Sequence, residues 1–233
     1  MSSRICYAVS CWSGPRRRTS APPSGLSYLR RQVNAVEELS HDLALCLFVD
    51  NQFGSCPEYE EELALLEGRE GFAVMRRPNI GLSYGARSDV FIRHRSAFDY
   101  YIVVEDDYVP VQEGFDQILV DLIEQAGPRC GFLGGCLGGG PGTSWPVHMA
   151  VSIGIMRAAA MEEILASRGC LPFVVANGYD GGEASQIMQS QAFVVAGWAL
   201  NDWLAHYSTP YIDPSGNRCV YGDGKPPLFE ALT

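Results

Sequence analysis

Blocks of hydrophobic residues alternate with amphipathic segments along the first half of the chain. Apolar, β-branched runs are typical of strands buried on both faces, and apolar residues three or four positions apart are typical of helices. The runs predict strands at 5–10, 43–49, 72–75 and 101–104, with helices at 26–39, 58–66 and 83–98 between them. This alternation predicts a single α/β domain with a mostly parallel central sheet flanked by helices.

The second half of the chain has a less regular pattern. It predicts helices at 112–125, at 158–167 and from Ala184 onward, and strands at 131–133, 147–156 and 193–196. The segment 134–144 contains six glycines and is predicted to be a loop, and 174–191 begins as an irregular stretch around Asp180 and Glu183. We therefore expect the same domain to continue through residue 233, with no internal repeat.

The strand predicted at 101–104 runs directly into three consecutive carboxylates, Glu105, Asp106 and Asp107. Acidic side chains are costly to bury, so the chain is expected to leave the sheet there, and Pro110 is expected to end strand pairing. In an extended chain Glu105 and Asp107 point to one face and Asp106 to the other. In open α/β sheets ligands bind at this carboxyl edge. Clustered carboxylates suit Mg²⁺, Mn²⁺ or Ca²⁺, and a solvated acidic turn is the alternative interpretation.

Composition narrows the possible classes of protein. The chain has 233 residues, 47% of them apolar and 19% charged, which is typical of a globular domain. A net charge of −10 argues against a nucleic-acid surface. No apolar stretch is long enough for a transmembrane helix, and the early strand leaves no room for a signal peptide. Eight cysteines form no Cys-x-x-Cys pair, and Cys6 and Cys46 fit a reduced core, so we expect a cytoplasmic protein.

Four features occur in a fixed order along the first 110 residues. A loop follows the first strand, Asp50-Asn51 closes the second, a turn runs from Asn79 to Arg87, and the acidic residues close the fourth. This order resembles the nucleotide-binding half of GT-A glycosyltransferases, particularly the family-2-like group. There, the turn has an Asn-x-Gly-x-x-x-Ala-Arg-like pattern and the last strand ends in a metal-binding Asp-x-Asp motif. Here the turn holds one extra residue before Ala-Arg. The resemblance covers about residues 4–110 and leaves 111–233 as the acceptor-side half.

The resemblance implies a metal-dependent glycosyltransferase that uses a nucleoside diphosphate sugar. Mn²⁺ or Mg²⁺ would be held at the end of the fourth strand, and the acceptor would be a small molecule, a glycan or a protein. The resemblance also implies which residues bind the nucleotide-sugar donor and the metal ion. Asp50 would bind the base or ribose, and the diphosphate or sugar would be bound by Asn79, Gly81 and Arg87. The metal ion would be held by Asp107, Asp106 and Glu105. For Arg87 an ordinary surface helix residue is the alternative.

On the acceptor side the resemblance implies a carboxylate that serves as general base. Glu183 is the first candidate and Asp180 the second, although the Glu-Asp or Asp-rich motif with a nearby Arg that is usual in the family is missing. His206 occupies the place of a late metal ligand, with a structural histidine as the alternative. Trp145 is a candidate for stacking against an acceptor sugar, or else a core residue.

Three other classes of protein share parts of this pattern. A sugar-nucleotide nucleotidyltransferase would have the same sheet and metal carboxylates, but the residues after the first strand poorly match a glycine-rich phosphate loop. A non-catalytic nucleotide- or carbohydrate-binding protein of the same fold is also consistent with the sequence. A metal-dependent phosphohydrolase would need several His and Asp ligands, and the chain has four histidines, none next to the acidic triplet.

Overall fold

A computed structural model describes most of the chain. The described residues are 3–12, 25–52, 57–140, 142, 144–149, 153–175, 179–203, 211–212, 218–219 and 228–231. His206 and most of the loop after the first strand lie outside them.

Thirteen strands and six α-helices occur in the described part of the chain. The strands are β1 (Ile5–Cys11), β2 (Leu43–Gln52), β3 (Phe72–Pro78), β4 (Tyr100–Glu105), β5 (Tyr108–Pro110), β6 (Cys130–Gly134), β7 (Leu137–Gly138), β8 (His148–Met149), β9 (Gly154–Arg157), β10 (Ala199–Asp202), β11 (Tyr211–Ile212), β12 (Arg218–Cys219) and β13 (Phe229–Ala231). The helices are α1 (Gly25–Leu39), α2 (Pro57–Glu67), α3 (Leu82–Arg93), α4 (Phe115–Gln125), α5 (Ala158–Arg168) and α6 (Tyr179–Val195).

Seven strands form the central sheet, in the order β10-β6-β9-β4-β1-β2-β3. The neighbours β1–β2, β1–β4, β2–β3 and β10–β6 are parallel, and only β9 runs against its two partners in this sheet. Because β9 is antiparallel, its first residue lies at the edge where β4 and β6 end. The start of β9 and the carboxyl ends of the parallel strands therefore lie at one edge, and the end of β9 lies at the opposite edge.

Two hydrophobic layers enclose the sheet. Alternate residues of β1, β2 and β4 pack on one face against α1, α2 and α4, and the remaining residues pack on the other face against α3, α5 and α6. We call these the α1 face and the α3 face. The predicted α/β fold with a mostly parallel sheet between helices is confirmed. The cysteines at 6, 11, 46, 130, 136 and 170 are free thiols, as predicted for Cys6 and Cys46.

Most predicted elements of the first half are present, and the errors fall at their ends. The helix predicted at 83–98 ends at Arg93. Pro110 does not stop strand pairing, because β5 pairs antiparallel with β13 and places Pro110 opposite Phe229. A proline is compatible with the last position of such a short edge strand, since its carbonyl can still accept a hydrogen bond.

The second half contains the larger corrections. The predicted strand 147–156 is two short strands, β8 and β9, and the helix predicted from Ala184 begins at Tyr179. The strand predicted at 193–196 is wrong, because these residues belong mainly to the last turn of α6. Ala192 and Phe193 are buried while the next two valines are exposed, a helical pattern rather than strand alternation. The strand at this end of the sheet is β10 instead.

No helix in the described ranges is long and apolar enough to cross a membrane.

Candidate functional site

The carboxyl ends of β1, β2 and β4 lie side by side because the three strands are parallel neighbours. Cys11 pairs with Asp50 across β1 and β2, and Ser10 pairs with Glu105 across β1 and β4. Polar residues that are far apart in sequence therefore meet at one edge, as the sequence predicted. Since consecutive residues of a strand point to opposite faces, this edge presents two separate sets of side chains.

Asp50 lies on the α1 face at the end of β2. Phe48, two residues earlier, packs into the core beneath α1 and α2, so Asp50 points the same way. Its side chain is 0% exposed, and neither carboxylate oxygen has a hydrogen-bond partner in the described part of the chain. Burial, and then the charge of Glu60, raise the pKa of Asp50 to about 6, although Arg76 lowers it. An unpartnered buried acceptor is costly, so this carboxylate is suited to a ligand that brings N–H or O–H donors.

Asp106 and Cys11 lie close to Asp50 on the same face. Burial raises the pKa of the Cys11 thiol, and the charges of Asp106 and Asp50 raise it further. Asp106 is buried and accepts a hydrogen bond from the backbone N–H of Trp12 at 2.9 Å. Its carboxylate therefore holds the start of the loop that follows β1. The α1 face thus gathers two carboxylates within a largely apolar layer.

The α3 face has a different arrangement, organised by Arg77. This guanidinium is buried at the end of β3 and donates to Asn51 Oδ1 at 2.6 Å, Asp89 Oδ2 at 2.6 Å and the Ile80 carbonyl at 2.7 Å. Asn51 in turn donates to Ser10 Oγ at 2.9 Å. One cation therefore joins the end of β2, the turn before α3 and α3 itself.

The predicted turn between β3 and α3 is confirmed as the start of a helix, with Asn79 half-buried just before it. Gly81 has φ 74, and a Cβ at this position would collide with the ring of Phe173. Leu82 also has a positive φ, 54, which is a strained conformation for a residue with a side chain. A Cβ on Gly85 would collide with the Ile80 carbonyl that Arg77 binds. The two glycines let the turn fold tightly against its neighbours.

Glu105 faces α3, opposite to Asp106, as strand alternation predicted. Its Oε1 accepts a hydrogen bond from Ser83 Oγ at 2.7 Å. Arg87 is buried one turn further along α3, with its guanidinium carbon 4.7 Å from the centre of the Tyr84 ring. Burial lowers the pKa of Arg87, while the charges of Tyr84 and Glu105 raise it. Arg87 is therefore a buried cation behind the acidic edge and not a surface helix residue.

Asp107 lies half-buried in the turn between β4 and β5. Within the described ranges, no three His, Cys, Asp or Glu side chains converge closely enough to hold a metal ion by themselves. Mg²⁺ and its analogues are usually held by one or two carboxylates together with substrate phosphates. Asp107 and Asp106 are therefore predicted ligands of an ion shared with substrate phosphates, and the described residues do not form a site that encloses an ion by protein alone.

Glu183 and Asp180 lie in the first turn of α6, not in an irregular loop as predicted. This turn packs on the start of α3, where a Cβ added to Gly182 would lie 3.6 Å from Leu82 Cδ1. Further along, Gln189 Nε2 donates to the Tyr84 carbonyl at 2.9 Å. Because Ser83 binds Glu105 at the same end of α3, the structure brings the start of α6 to the acidic edge. The Glu183 side chain is partly exposed there.

Three polar residues of this edge were not identified from the sequence. Arg77 and Ser83 hold Asn51 and Glu105, and Asp202 ends β10 opposite Gly134 and accepts from the Leu137 N–H at 3.0 Å. Arg77 and Asp202 are each the second polar residue after a short apolar run, and that position was the signal available in the sequence. Trp145, a candidate for acceptor stacking, is 51% exposed and is not a core residue.

The fold is shared with several solved structures. TarS of S. aureus has 11% sequence identity and a TM-score of 0.57, over 99% of this chain and 37% of that chain. The mannosyltransferase PcManGT from Pyrobaculum calidifontis, in complex with GDP-Man and Mn²⁺, has 13% identity and a TM-score of 0.54, over 87% of this chain and 55% of that one. A CMP:2-keto-3-deoxy-manno-octonic acid synthetase complexed with CTP has 13% identity and a TM-score of 0.51, over 86% of this chain and 89% of that one.

These likenesses confirm the predicted α/β fold of the GT-A type. The chain spans about half the length of the mannosyltransferase and just over a third of TarS. No family model matches the sequence, and no curated protein matches it. Both sugar transfer and nucleotide transfer occur among the similar folds, so the fold alone does not choose between them.

Proposed function

We propose that this chain is a metal-dependent glycosyltransferase that transfers a sugar from a nucleoside diphosphate sugar to an acceptor hydroxyl. The observation that carries the proposal is the buried carboxylate of Asp50, which has no partner in the described part of the chain. It lies at the ligand-binding edge of the fold, on the same face as Asp106. A buried acceptor beside a second carboxylate that can share a metal ion suits a nucleotide, which brings N–H and O–H donors together with phosphates.

In this proposal Asp50 accepts hydrogen bonds from the nucleobase or the ribose. An ionised carboxylate only accepts hydrogen bonds, so it discriminates between ligand atoms that carry a proton and those that do not. The turn that contains Asn79 and Gly81 lies at the same edge and contributes backbone groups toward the diphosphate or sugar. Arg87 acts from behind this turn, where its charge balances that of Glu105.

Asp107, with Asp106, would hold Mn²⁺ or Mg²⁺ shared with the diphosphate, and Glu105 and His206 remain predicted ligands. A bound divalent ion supplies Lewis-acid stabilisation of the leaving diphosphate. Among the similar structures, the mannosyltransferase was solved with Mn²⁺ and GDP-Man, and GalNAc-T7 was solved with Mn²⁺ and UDP. This supports a divalent cation and a nucleotide-sugar donor for the present chain.

Glu183 is the proposed general base, with Asp180 as the second candidate. The base accepts the proton of the acceptor hydroxyl while the acceptor oxygen bonds to the anomeric carbon and the bond to the diphosphate breaks. Glu183 lies at the start of α6, which packs on α3 beside the acidic edge. The acceptor would approach from this side, and Trp145 offers an exposed indole for a small molecule, a glycan or a protein-bound sugar.

A sugar-nucleotide nucleotidyltransferase is the second candidate function. The observation that favours it is the fold shared with the CMP:2-keto-3-deoxy-manno-octonic acid synthetase complexed with CTP, which matches 86% of this chain with a TM-score of 0.51. Both enzymes need nucleotide and metal sites at this edge. They differ in whether the protein recognises a diphosphate or a triphosphate.

Calorimetric titration with UDP, GDP, CDP and dTDP, each with Mn²⁺ and with EDTA, tests the proposal. We expect Mn²⁺-dependent binding of one diphosphate, followed by release of that diphosphate when the matching nucleotide sugar and an acceptor are added. Titration with the four triphosphates is the control. Preferential triphosphate binding would favour the nucleotidyltransferase, and the absence of any nucleotide binding would refute both.

A further inference from the structure

The acidic turn after β4 is held from behind by one buried side chain, Gln32 of α1. Gln32 is 0% exposed, and its Nε2 donates to the Asp106 carbonyl at 3.2 Å and to the Tyr108 carbonyl at 2.6 Å. These are the carbonyls of the residues immediately before and after Asp107. The amide group of one side chain therefore brackets the residue that is proposed to hold the metal ion.

A hydrogen bond from β1 sets the orientation of the Gln32 amide. The Tyr7 hydroxyl donates to Gln32 Oε1 at 2.8 Å, and both residues are buried. If the amide were flipped, its oxygen would face two carbonyl oxygens, and none of the three can donate a hydrogen bond. The Tyr7–Gln32 pair is therefore ordered in one orientation, with both Nε2 protons directed at the turn.

The turn has a further anchor on the side of the sheet. The Asp106 backbone N–H donates to the Ser10 carbonyl at 3.1 Å, which continues the pairing of β4 with β1. Between that bond and the bonds from Gln32, both neighbours of Asp107 are held at the backbone. The backbone from which the Asp107 side chain projects is therefore held by atoms that would not touch a metal ion or a nucleotide themselves.

We propose that Gln32, oriented by Tyr7, is the positioning residue that places the Asp107 carboxylate for a divalent cation and the bound diphosphate. This inference rests on the proposed function, because it requires that a metal ion binds at Asp107. Residues that orient metal ligands typically change metal affinity by about 10- to 100-fold when they are substituted. A residue that serves only the fold would lower stability without separating metal affinity from nucleotide affinity.

The test is a Mn²⁺ titration followed by electron paramagnetic resonance, in the presence of whichever of UDP, GDP, CDP or dTDP the wild-type protein binds. Gln32→Met keeps the length of the side chain and removes both donors. We expect its Mn²⁺ affinity to fall by about tenfold or more while nucleotide affinity in EDTA stays within about twofold of wild type. Val33→Ala, at the next position of α1, is the control for lost stability and should leave Mn²⁺ affinity unchanged.

Tyr7→Phe provides a second variant that keeps the packing of the ring if Gln32→Met does not fold. It removes only the bond that orients the amide, so a smaller loss of Mn²⁺ affinity, about twofold to fivefold, is expected. Wild-type Mn²⁺ affinity in the folded Gln32 variant, or in Tyr7→Phe if that variant alone folds, overturns this inference and leaves the proposed function intact. Absence of Mn²⁺-dependent nucleotide binding in the wild-type protein overturns the proposed function, and the inference with it.

Discussion

The two faces of the sheet differ sharply where β2 and β4 end. On the α3 face, Asn51 and Glu105 are both bonded to side chains of other elements, and Arg77 alone makes three hydrogen bonds. On the α1 face, Asp50 is as buried as Asn51, and its carboxylate has no hydrogen-bond partner in the described ranges. Asp50 and Asn51 are consecutive residues, so the difference arises from the face and not from the position along the strand.

This difference separates the parts of the edge that hold the fold from those that are available to a ligand. Satisfied buried polar groups rigidify a structure, whereas an unsatisfied one lowers stability until a ligand supplies the missing bonds. We therefore interpret the α3 face as the support of the turn and the α1 face as the nucleotide side.

Arg77→Ala should have the largest effect on stability. It leaves the buried Asn51 side-chain oxygen and the Ile80 carbonyl without this donor, and an unsatisfied buried acceptor costs about 1–3 kcal/mol. Asp89, with 37% of its side chain exposed, also loses its ion pair, which adds about 1 kcal/mol or less. The free energy of unfolding in urea measures it. Arg76→Ala is the matched control, because Arg76 is a neighbouring, partly exposed residue that pairs with Glu67 and Glu60, and exposed pairs contribute about 1 kcal/mol or less. Equal losses for the two variants would contradict a supporting role for Arg77.

Asp50→Asn should stabilise the protein without ligand at high pH. The pKa of Asp50 is raised from 3.8 to about 6, so the folded protein binds a proton more tightly than the unfolded chain. Ionisation of Asp50 therefore does not lower the free energy of unfolding below about pH 4. The loss of stability grows between about pH 4 and pH 6 and reaches its full value above about pH 6. Two pKa units correspond to about 3 kcal/mol, so the variant should be more stable by about that much at pH 8 and by nothing at pH 4. Urea unfolding at both pH values measures this difference.

Asp116→Asn is the control for Asp50→Asn. Asp116 is also 0% exposed, but its carboxylate accepts from the backbone N–H groups of His41 and Asp42, the latter at 2.7 Å. Substitution should therefore lower stability at pH 8 by about 1–3 kcal/mol, because hydrogen bonds to a charged acceptor are lost. If both variants lose stability, Asp50 is a structural residue and the α1 face is not a site left open for a ligand.

The contrast between Asp50 and Asn51 marks the limit of what the sequence could predict. The spacing of hydrophobic residues and the composition of each run predicted the sheet and the meeting of the strand ends at one edge. They could do so because a buried strand or a helix face imposes its hydrophobic pattern on neighbouring residues in the sequence. Partners of buried polar groups are not local: Arg77 reaches Asn51 across 26 positions and Asp89 across 12. Two adjacent polar residues at a strand end look alike in sequence, and only the packed helices on each face decide which one is satisfied.

The end of α6 shows a second limit. Phe193 and the valines after it have high strand propensity, and the sequence predicted a strand there. Packing of Phe193 against the α3 face keeps the segment helical, because tertiary contacts outweigh intrinsic preference. Because the last strand was predicted at 193–196, Asp202 was not identified as the residue that ends a strand. In the structure Asp202 ends β10 at the functional edge.

Glu183→Gln tests whether the α3 face contributes chemistry in addition to support. If Glu183 is the general base, turnover should fall by about 100-fold while affinity for the donor nucleotide is unchanged, because the amide cannot accept the proton. Release of nucleoside diphosphate in an acceptor assay measures it. Asp180→Asn in the same turn of α6 is the comparison. A loss confined to Asp180→Asn would assign the base to Asp180, and normal turnover in both would exclude this turn from proton transfer.

Asp107→Ala should have the smallest and most selective effect, because it should remove only the part of nucleotide affinity that depends on metal. Asp107 lies in the turn beyond β4, so the fold and the binding measured in EDTA should be preserved. The increase in nucleotide affinity that Mn²⁺ provides should be lost, on the order of tenfold or about 1.4 kcal/mol, as measured by calorimetry.

Asp50→Ala should weaken nucleotide binding by a similar factor with Mn²⁺ and with EDTA alike, since its carboxylate is proposed to contact the nucleoside and not the ion. Variants with interchanged behaviour would reverse these two assignments, and identical behaviour would mean that the acidic turn and the end of β2 form one undivided site.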